Sequence, residues 1–383
     1  VSGSKHQKFL QEKFFAFCHF FHLRIFALSI IHFAENLFTE TIRSYHCIFF
    51  ERKMDLLKFT ELGIYCEQGN FYIDPWRPVD FAIITHAHSD HARFGCKHYM
   101  AHRDSAPVLR LRLGNDISLQ TVDYEENIFI RGVKVSLHPA GHIIGSSQVR
   151  VEYHGQVWVA AGDYKLQNDT ISEPFQPVKC HTFITESTFG LPVYQWKSSS
   201  TLFEEINQWW KQNREKGKVS VLCGYALGKA QRLTKFCEPT IGKIYLHGAV
   251  GNLNNALIAN GICLPAYPKA GNEFSKKDYE GALIIAPPSV IGSAWLNKFE
   301  PYAIGMCSGW MQIRGNKRRQ NADVGFALSD HADWKGLLAA IKATEAERVI
   351  VTHGYTDVLS RYLNEIGIAA QVAKTEFNVD DEE

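Results

Sequence analysis

From residue 54 onward the chain is built of short apolar runs separated by Gly, Asp and Asn, and run length predicts strands rather than helices. Residues 71–73, 81–84, 133–137, 149–151 and 157–160 are such runs. Up to about residue 195 helical periodicity is scarce. Beyond it, residues 201–210 carry helical spacing, residues 219–222 read as a strand and residues 227–236 as a second helix. That is the strand-and-helix alternation of a parallel sheet, so the pattern predicts an α/β protein with a different lobe starting near residue 196. No internal repeat, low-complexity tract or long linker interrupts it.

Residues 1–53 follow another pattern. They hold eleven of the 25 Phe and five of the 17 His, and the first Met is Met54. The apolar residues from Phe14 to Phe33 suggest a signal peptide or an anchor, but His19, His22, Arg24 and His32 break the stretch and no small-residue cleavage site follows. Residues 1–53 are therefore read as an extension outside the fold, with Met54 as the natural start and no membrane association.

Length and composition narrow the class. A chain of 383 residues has room for two lobes, and the formal net charge of +1 gives no overall attraction to polyanions, so nucleic-acid contact requires local basic patches. Nine cysteines, an odd number with no C-x-x-C pair, argue against a disulfide framework or a thiolate zinc site. A reducing, cytoplasmic setting is the expectation.

The most informative segment is His86-Ala-His88-Ser-Asp90-His91, which follows the apolar run 81–84 directly. Four metal-competent side chains at a strand end would be costly to bury unless ligated or hydrogen-bonded. Two imidazoles two apart can converge on one ion, while Asp90 and His91 offer the oxygen and nitrogen of a second. Further strand ends carry related residues: His142 between Gly141 and Gly145, Asp163 after residues 160–162, Asp330 to Asp333 around His331, and His353 before Gly354. Each alone reads as a turn or cap residue. Their combination is far more specific.

Together these residues resemble the metallo-β-lactamase superfamily and, within it, the β-CASP nucleases of nucleic-acid processing. The resemblance runs from Met54 to beyond His353. It implies an αββα sandwich, with residues 54–195 and 313–383 forming the metallo-β-lactamase domain and residues 196–312 the inserted β-CASP domain. It also implies two zinc ions, one held by His86, His88 and His142, the other by Asp90, His91 and His353, with Asp163 bridging and Asp74 orienting the ligands from behind. An all-N/O ligand set admits manganese, iron or cobalt as well. Ile184 to Gly190 matches the acidic β-CASP motif through Glu186, and His331 and His353 match its later histidine motifs. The implied mechanism is attack on a phosphodiester by a zinc-activated hydroxide, with His331, paired to Glu186, protonating the leaving oxygen.

Basic residues are expected to meet phosphate at Lys229 and Arg232, near a helix start, and along Arg314, Lys317, Arg318 and Arg319. Trp310 and Trp334 either stack on bases or pack in the core. Residues 309–315 and 328–334 look like those of the bacterial ligase-associated DNA exonucleases, which implies DNA as substrate, a role in DNA repair, and ligase and helicase partners. A histidine at 353 is typical of the RNA 3′-end processing branch, so an RNA substrate is the alternative. A small-molecule hydrolase would share the metal residues without needing Glu186, His331, the inserted lobe or the basic run. A non-catalytic scaffold would have lost ligands, whereas here every ligand position is filled.

Overall fold

The computed structural model describes residues 55–313 and 321–376. Residues 1–54, and with them the whole of the extension 1–53, lie outside the described residues, as does the run Arg314, Lys317, Arg318 and Arg319.

The first sheet takes its strands in chain order: β1 (Lys58–Thr60), β2 (Gly63–Cys66), β3 (Phe71–Ile73), β4 (Phe81–Ile83), β5 (His98–His102) and β6 (Leu119–Val122). Its first three strands are antiparallel and the remainder join in parallel. Between β5 and β6 lies α1 (Ala106–Leu113). A second sheet begins with β7 (Ile128–Ile130), β8 (Val133–Pro139), β9 (Ser147–Tyr153), β10 (Gln156–Ala160) and β11 (Thr182–Ser187).

The chain then passes through α2 (Ser199–Glu215) into a third, wholly parallel sheet of β12 (Val219–Cys223), β13 (Ile244–Leu246), β14 (Leu283–Ala286), β15 (Tyr302–Cys307) and β16 (Val324–Phe326). Helices α3 (Lys229–Phe236) and α4 (Gly248–Ala259) connect its early strands. Because β16 pairs with β15, this sheet continues past residue 312. After α5 (Trp334–Thr344), β17 (Arg348–Gly354) returns to pair with β11 in the second sheet, followed by α6 (Thr356–Glu365) and edge strand β18 (Ala370–Val372).

Strand alternation explains the layers. In β4, Phe81 and Ile83 face a core shared with Val135, Leu137, Val149, Val151 and Ile184 of the second sheet. Ala82 and, just after the strand, Ile84 face the opposite way, onto Val108, Leu109 and Leu113 of α1. On the far side of the second sheet, Val159, Phe183, Val349 and Val351 pack on Leu337 and Ile341 of α5 and on Leu359 and Leu363 of α6. Two sheets thus meet face to face with helices outside them. Each aliphatic side chain fully buried in such a core stabilises by roughly 1.5–3 kcal/mol. The third sheet has its own cores, Leu202, Ile206, Trp210 and Leu233 covering one face and Tyr279, Leu296 and Phe299 the other. No helix among the described residues is long and apolar enough to cross a membrane.

Candidate metal centre and cleft

Asp74 follows β3 directly, and its N–H donates to the Ile83 carbonyl at 3.0 Å, so it lies beside the end of β4. Its backbone is left-handed (φ 44°), an uncommon state for a residue with a side chain. There its carboxylate accepts the Thr85 N–H at 2.8 Å and the Thr85 hydroxyl proton at 2.5 Å. It also accepts the His91 Nδ1–H at 2.7 Å. With its only proton committed to Asp74, Thr85 Oγ1 must accept from His86 Nδ1–H at 3.0 Å. His86 is thereby fixed as the tautomer whose Nε2 lone pair points inward, while Asp74 holds Nδ1–H of His91 and turns its Nε2 toward the cluster, 3.5 Å from an oxygen of Asp163.

His88 and His142 are fixed by main-chain carbonyls. Nε2–H of His88 donates to the Leu227 carbonyl at 3.3 Å, and Nδ1–H of His142 donates to the Asp330 carbonyl at 2.9 Å. Their remaining nitrogens, His88 Nδ1 and His142 Nε2, face one another at 3.1 Å as two lone pairs with no proton between them. His86 Nε2 is buried without a hydrogen-bond partner, 3.4 Å from an oxygen of Asp163. A cation placed between these nitrogens and the carboxylate would satisfy all of them. In tetrahedral coordination with bonds of about 2.0–2.1 Å, two nitrogens lie roughly 3.3 Å apart, close to what these side chains show. The residues therefore fit a transition-metal ion.

Close backbone approaches place the last candidate ligands. Gly141 (φ 75°) precedes His142, and a Cβ there would lie 2.2 Å from the Lys165 carbonyl oxygen. Gly162 (φ 58°) lets the turn after β10 pass against Thr85, and it carries Asp163 into the cluster. One set of ligand atoms comprises His86, His88, His142 and Asp163, and another His86, Asp90 and His91. Within each set all atoms lie within 4.8 Å of one another. Thus His86 completes the second set, where the family resemblance implied His353. His353, near the end of β17 and left-handed at φ 51°, lines the same cleft as Asp90 and Asp163 but belongs to neither set.

Electrostatics suits metal binding. Burial, reinforced by the His91 and His331 rings respectively, pushes the His86 and His142 imidazoles well below their ordinary range, so they stay neutral. His88 is lowered too, by burial first. His91 goes the other way: burial opposes its charge, but Asp90, Asp163 and Asp74 raise it well above the usual value. Burial likewise opposes the charge of Asp163, yet His91 and His331 hold its carboxyl well below the carboxylate range.

Beside this cluster, Glu186 at the end of β11 accepts the Tyr164 N–H at 2.7 Å on one oxygen and His331 Nδ1–H at 2.9 Å on the other. Asp163, Glu186 and His331 also lie within 4.8 Å as a group. His331 lines a cleft of about 750 Å³, together with His88, Asp90, Asp163 and His353. The opposite wall is built from the ends of the third sheet's strands: Tyr225, Leu227 and Lys229 after β12, Asn252 and Leu253 of α4, and Pro287 to Ser289 after β14. A ligand crevice at the carboxyl ends of parallel strands is the usual outcome of this topology.

No family model matches the chain. Over 317 residues it is 30% identical to a "Probable DNA ligase" of Opitutus terrae, covering 82% of this chain and 30% of that protein. It is 25% identical over 183 residues to an "RNase J-like protein" of Methanocaldococcus jannaschii, covering 41% of this chain and 43% of the relative. With "Endoribonuclease YSH1" of Saccharomyces cerevisiae it shares 26% over 160 residues, 41% of this chain and 20% of the relative. The chain is related to the β-CASP nucleases of the metallo-β-lactamase superfamily. It spans less than half the length of each of these relatives. A solved structure, a protein of unknown function from Enterococcus faecalis V583, shares the fold with a TM-score of 0.54 at 14% identity, covering 78% of this chain and 80% of its own.

For a β-CASP relative, the two cations expected at the phosphate are placed unexpectedly. Arg232 is 1% exposed, and all three of its nitrogens donate within the protein: Nε to Asp169, Nη1 to Asp330 at 2.5 Å and Nη2 to the His142 carbonyl at 2.8 Å. It is a clasp between α3 and the metal loops, so the expectation of phosphate contact is corrected. Lys229 lines the cleft, but its ammonium is bound to Asp330 at 3.0 Å and lies 4.6 Å from the Tyr225 ring centre. Burial opposes the Asp330 charge, and Lys229 and Arg232 together hold its carboxyl below the ordinary range. Trp334 is buried against Tyr362, and Trp310 packs among Phe189, Tyr194 and Tyr355. Sequence reading missed Thr85 and Asp330 as organisers. Asp330 stands in the quoted run beside His331, whereas an isolated Thr gives no signal.

Proposed function

We propose that the chain is a metal-dependent phosphodiesterase of nucleic acid, an αββα metallo-β-lactamase sandwich carrying the third sheet as its β-CASP insertion. The observation that carries this reading is the pair of facing lone pairs on His88 and His142, with Asp163 beside them and the Glu186–His331 pair in the same cleft. In this reading His86, His88, His142 and Asp163 hold one ion, Asp90 and His91 hold a second, and His353 approaches the second ion from β17. Zinc suits this donor set best. When bound, the ions supply Lewis acidity that lowers the pKa of water toward about 7 and offsets charge gathering on phosphorus.

The protein's own residues do the remainder. Asp74 and Thr85 lock the imidazoles in the ligating tautomer. Glu186 holds Nδ1–H of His331, leaving Nε2 as the site from which a proton passes to the leaving oxygen, and stabilises the imidazolium before transfer. Residues 196–312, extended through β16, close the cleft over the substrate.

DNA is the favoured substrate, because the similarity to the probable DNA ligase extends over 82% of the chain. An exonuclease acting in DNA repair beside a ligase follows from that choice. The RNase J-like and YSH1 relatives support RNA as the second reading. The test is hydrolysis of labelled single-stranded DNA, matching RNA and a nitrophenyl phosphodiester, each with and without a chelator. Chelator-sensitive cleavage of DNA above RNA is expected. Cleavage of the small diester alone would make this a small-molecule hydrolase.

A further inference from the structure

The buried clasp around Arg232 leaves open which cation meets the substrate's phosphates. Lys229 faces the cleft already paired with Asp330. The other cation on the cleft wall is Arg112, in the last turn of α1. Leu109 and Leu113 anchor that turn in the core, and Gly114 ends the helix behind it. Arg112 itself stays accessible. Its Nη1 donates at 2.8 Å to the carbonyl of Ala87, the residue between His86 and His88. No ion pair within 4.0 Å forms at Arg112 among the described residues. A guanidinium has five N–H donors in a rigid fork, so four remain for a ligand. The carboxylate whose field reaches it is Asp90, which a bound ion would neutralise.

We infer that Arg112 holds a backbone phosphate of the nucleic-acid strand next to the scissile one, the role the sequence pattern suggests for Lys229 and Arg232. Its one hydrogen bond to Ala87 fixes the fork against the metal loop, and its remaining donors match phosphate oxygens bidentately. Apart from Lys229, already paired with Asp330, the rest of that wall carries no charge, since Leu111, Leu253, Pro287 and Pro288 are apolar and Asn252 and Ser289 neutral. A neighbouring phosphate is gripped equally before and during reaction, so Arg112 acts on binding more than on turnover.

This rests on the proposed function, and the experiment keeps the two apart. Arg112→Gln and Arg112→Lys are compared with the full chain for binding of a labelled single-stranded DNA and a matching RNA by anisotropy, across a salt series. KM, kcat and metal content are measured in parallel. Arg112→Gln should weaken binding and raise KM about 10-fold or more. It should flatten the log–log salt dependence by about 0.7 for the one phosphate lost, with kcat within about 3-fold and metal content unchanged. Arg112→Lys should restore the slope but not the full affinity, because its charge is not a fork. An unchanged slope in Arg112→Gln overturns the inference. So does a loss of metal at unchanged slope, which would make Arg112 only a support for the Ala87 carbonyl. If the full chain cleaves neither polymer, the proposed function fails, while the salt slope still decides the role of Arg112.

Discussion

A single oxygen of Asp163 lies 3.4 Å from His86 Nε2, 3.5 Å from His91 Nε2 and 3.8 Å from His142 Nε2. Removing it strips negative charge from the centre of the cluster, so Asp163→Ala should lose more metal than any single His substitution, as read by elemental analysis of the purified protein. Thr85 acts one step back. Thr85→Val removes the donor to Asp74 and the acceptor of His86 Nδ1–H, and titration against a competing chelator should show metal affinity about 10–100-fold weaker. His331 and His353 separate on leaving group. His331→Ala should keep its metal and bind nucleic acid, yet turn over roughly 10²–10⁴ times more slowly. A nitrophenyl diester, whose leaving group needs little protonation, should rescue it and leave His353→Ala impaired. Equal defects on both substrates in both variants would mean that the roles are wrongly assigned. At this scale the candidate ligands were legible because chemistry restricts which side chains can bind metal. Thr85 was not, since its role comes from a neighbour eleven residues away in sequence.

At the scale of elements, strand ends place the chemistry. Thr85 and His86 follow β4, His142 sits in the turn from β8 to β9, Asp163 follows β10 and Glu186 nearly ends β11. All of these but β11 were readable as apolar runs flanked by Gly and Asp; Glu186 was legible only through the acidic motif it belongs to. Helix α1 was not: Leu109-Arg-Leu-Arg-Leu113 alternates with period two, as a half-exposed strand would. Pro107 in the first turn and Gly114 at the end favour the helix, and packing of Leu109 and Leu113 under the first sheet decides it. The turn after β10 passes close against Thr85. In Gly162→Ala the new methyl would lie 2.7 Å from Thr85 Oγ1 on a backbone at φ 58°, so denaturant unfolding should show a loss of more than about 1 kcal/mol. Metal affinity should fall with it, because Thr85 has to move. Unchanged stability would show that the turn adjusts without disturbing Thr85.

Across the whole molecule, a buried charge cluster joins the third sheet's lobe to the metal loops. Three cations, Lys165, Lys229 and Arg232, meet two carboxylates, Asp169 and Asp330, all no more than 5% exposed. Burial, with the Arg232 charge beside it, pushes the Lys165 ammonium down to about 8. Arg232→Leu would leave Asp169 with Lys165 alone and Asp330 with Lys229 alone, and would free the His142 carbonyl. Loss of one partner from such a buried network costs about 3–5 kcal/mol, measurable by urea unfolding. Reduced metal content should accompany it, since His142 and the Asp330 carbonyl form one hydrogen-bonded unit.

What the sequence determined by itself was the inventory: which side chains can ligate, the strands that end in them, and the change to strand-and-helix alternation near residue 196. These are local properties, fixed by periodicity and by the chemistry of imidazole and carboxylate. What only the tertiary structure decided was partnership. Arg232 and Lys229 had the composition of a phosphate site, but burial next to Asp169 and Asp330 turned their charges inward. Arg112 had no distinguishing context, yet α1 carries it to the cleft wall with donors to spare. A charge serves whichever opposite charge or dipole the fold brings nearest, and that distance is not written in the spacing of residues along the chain.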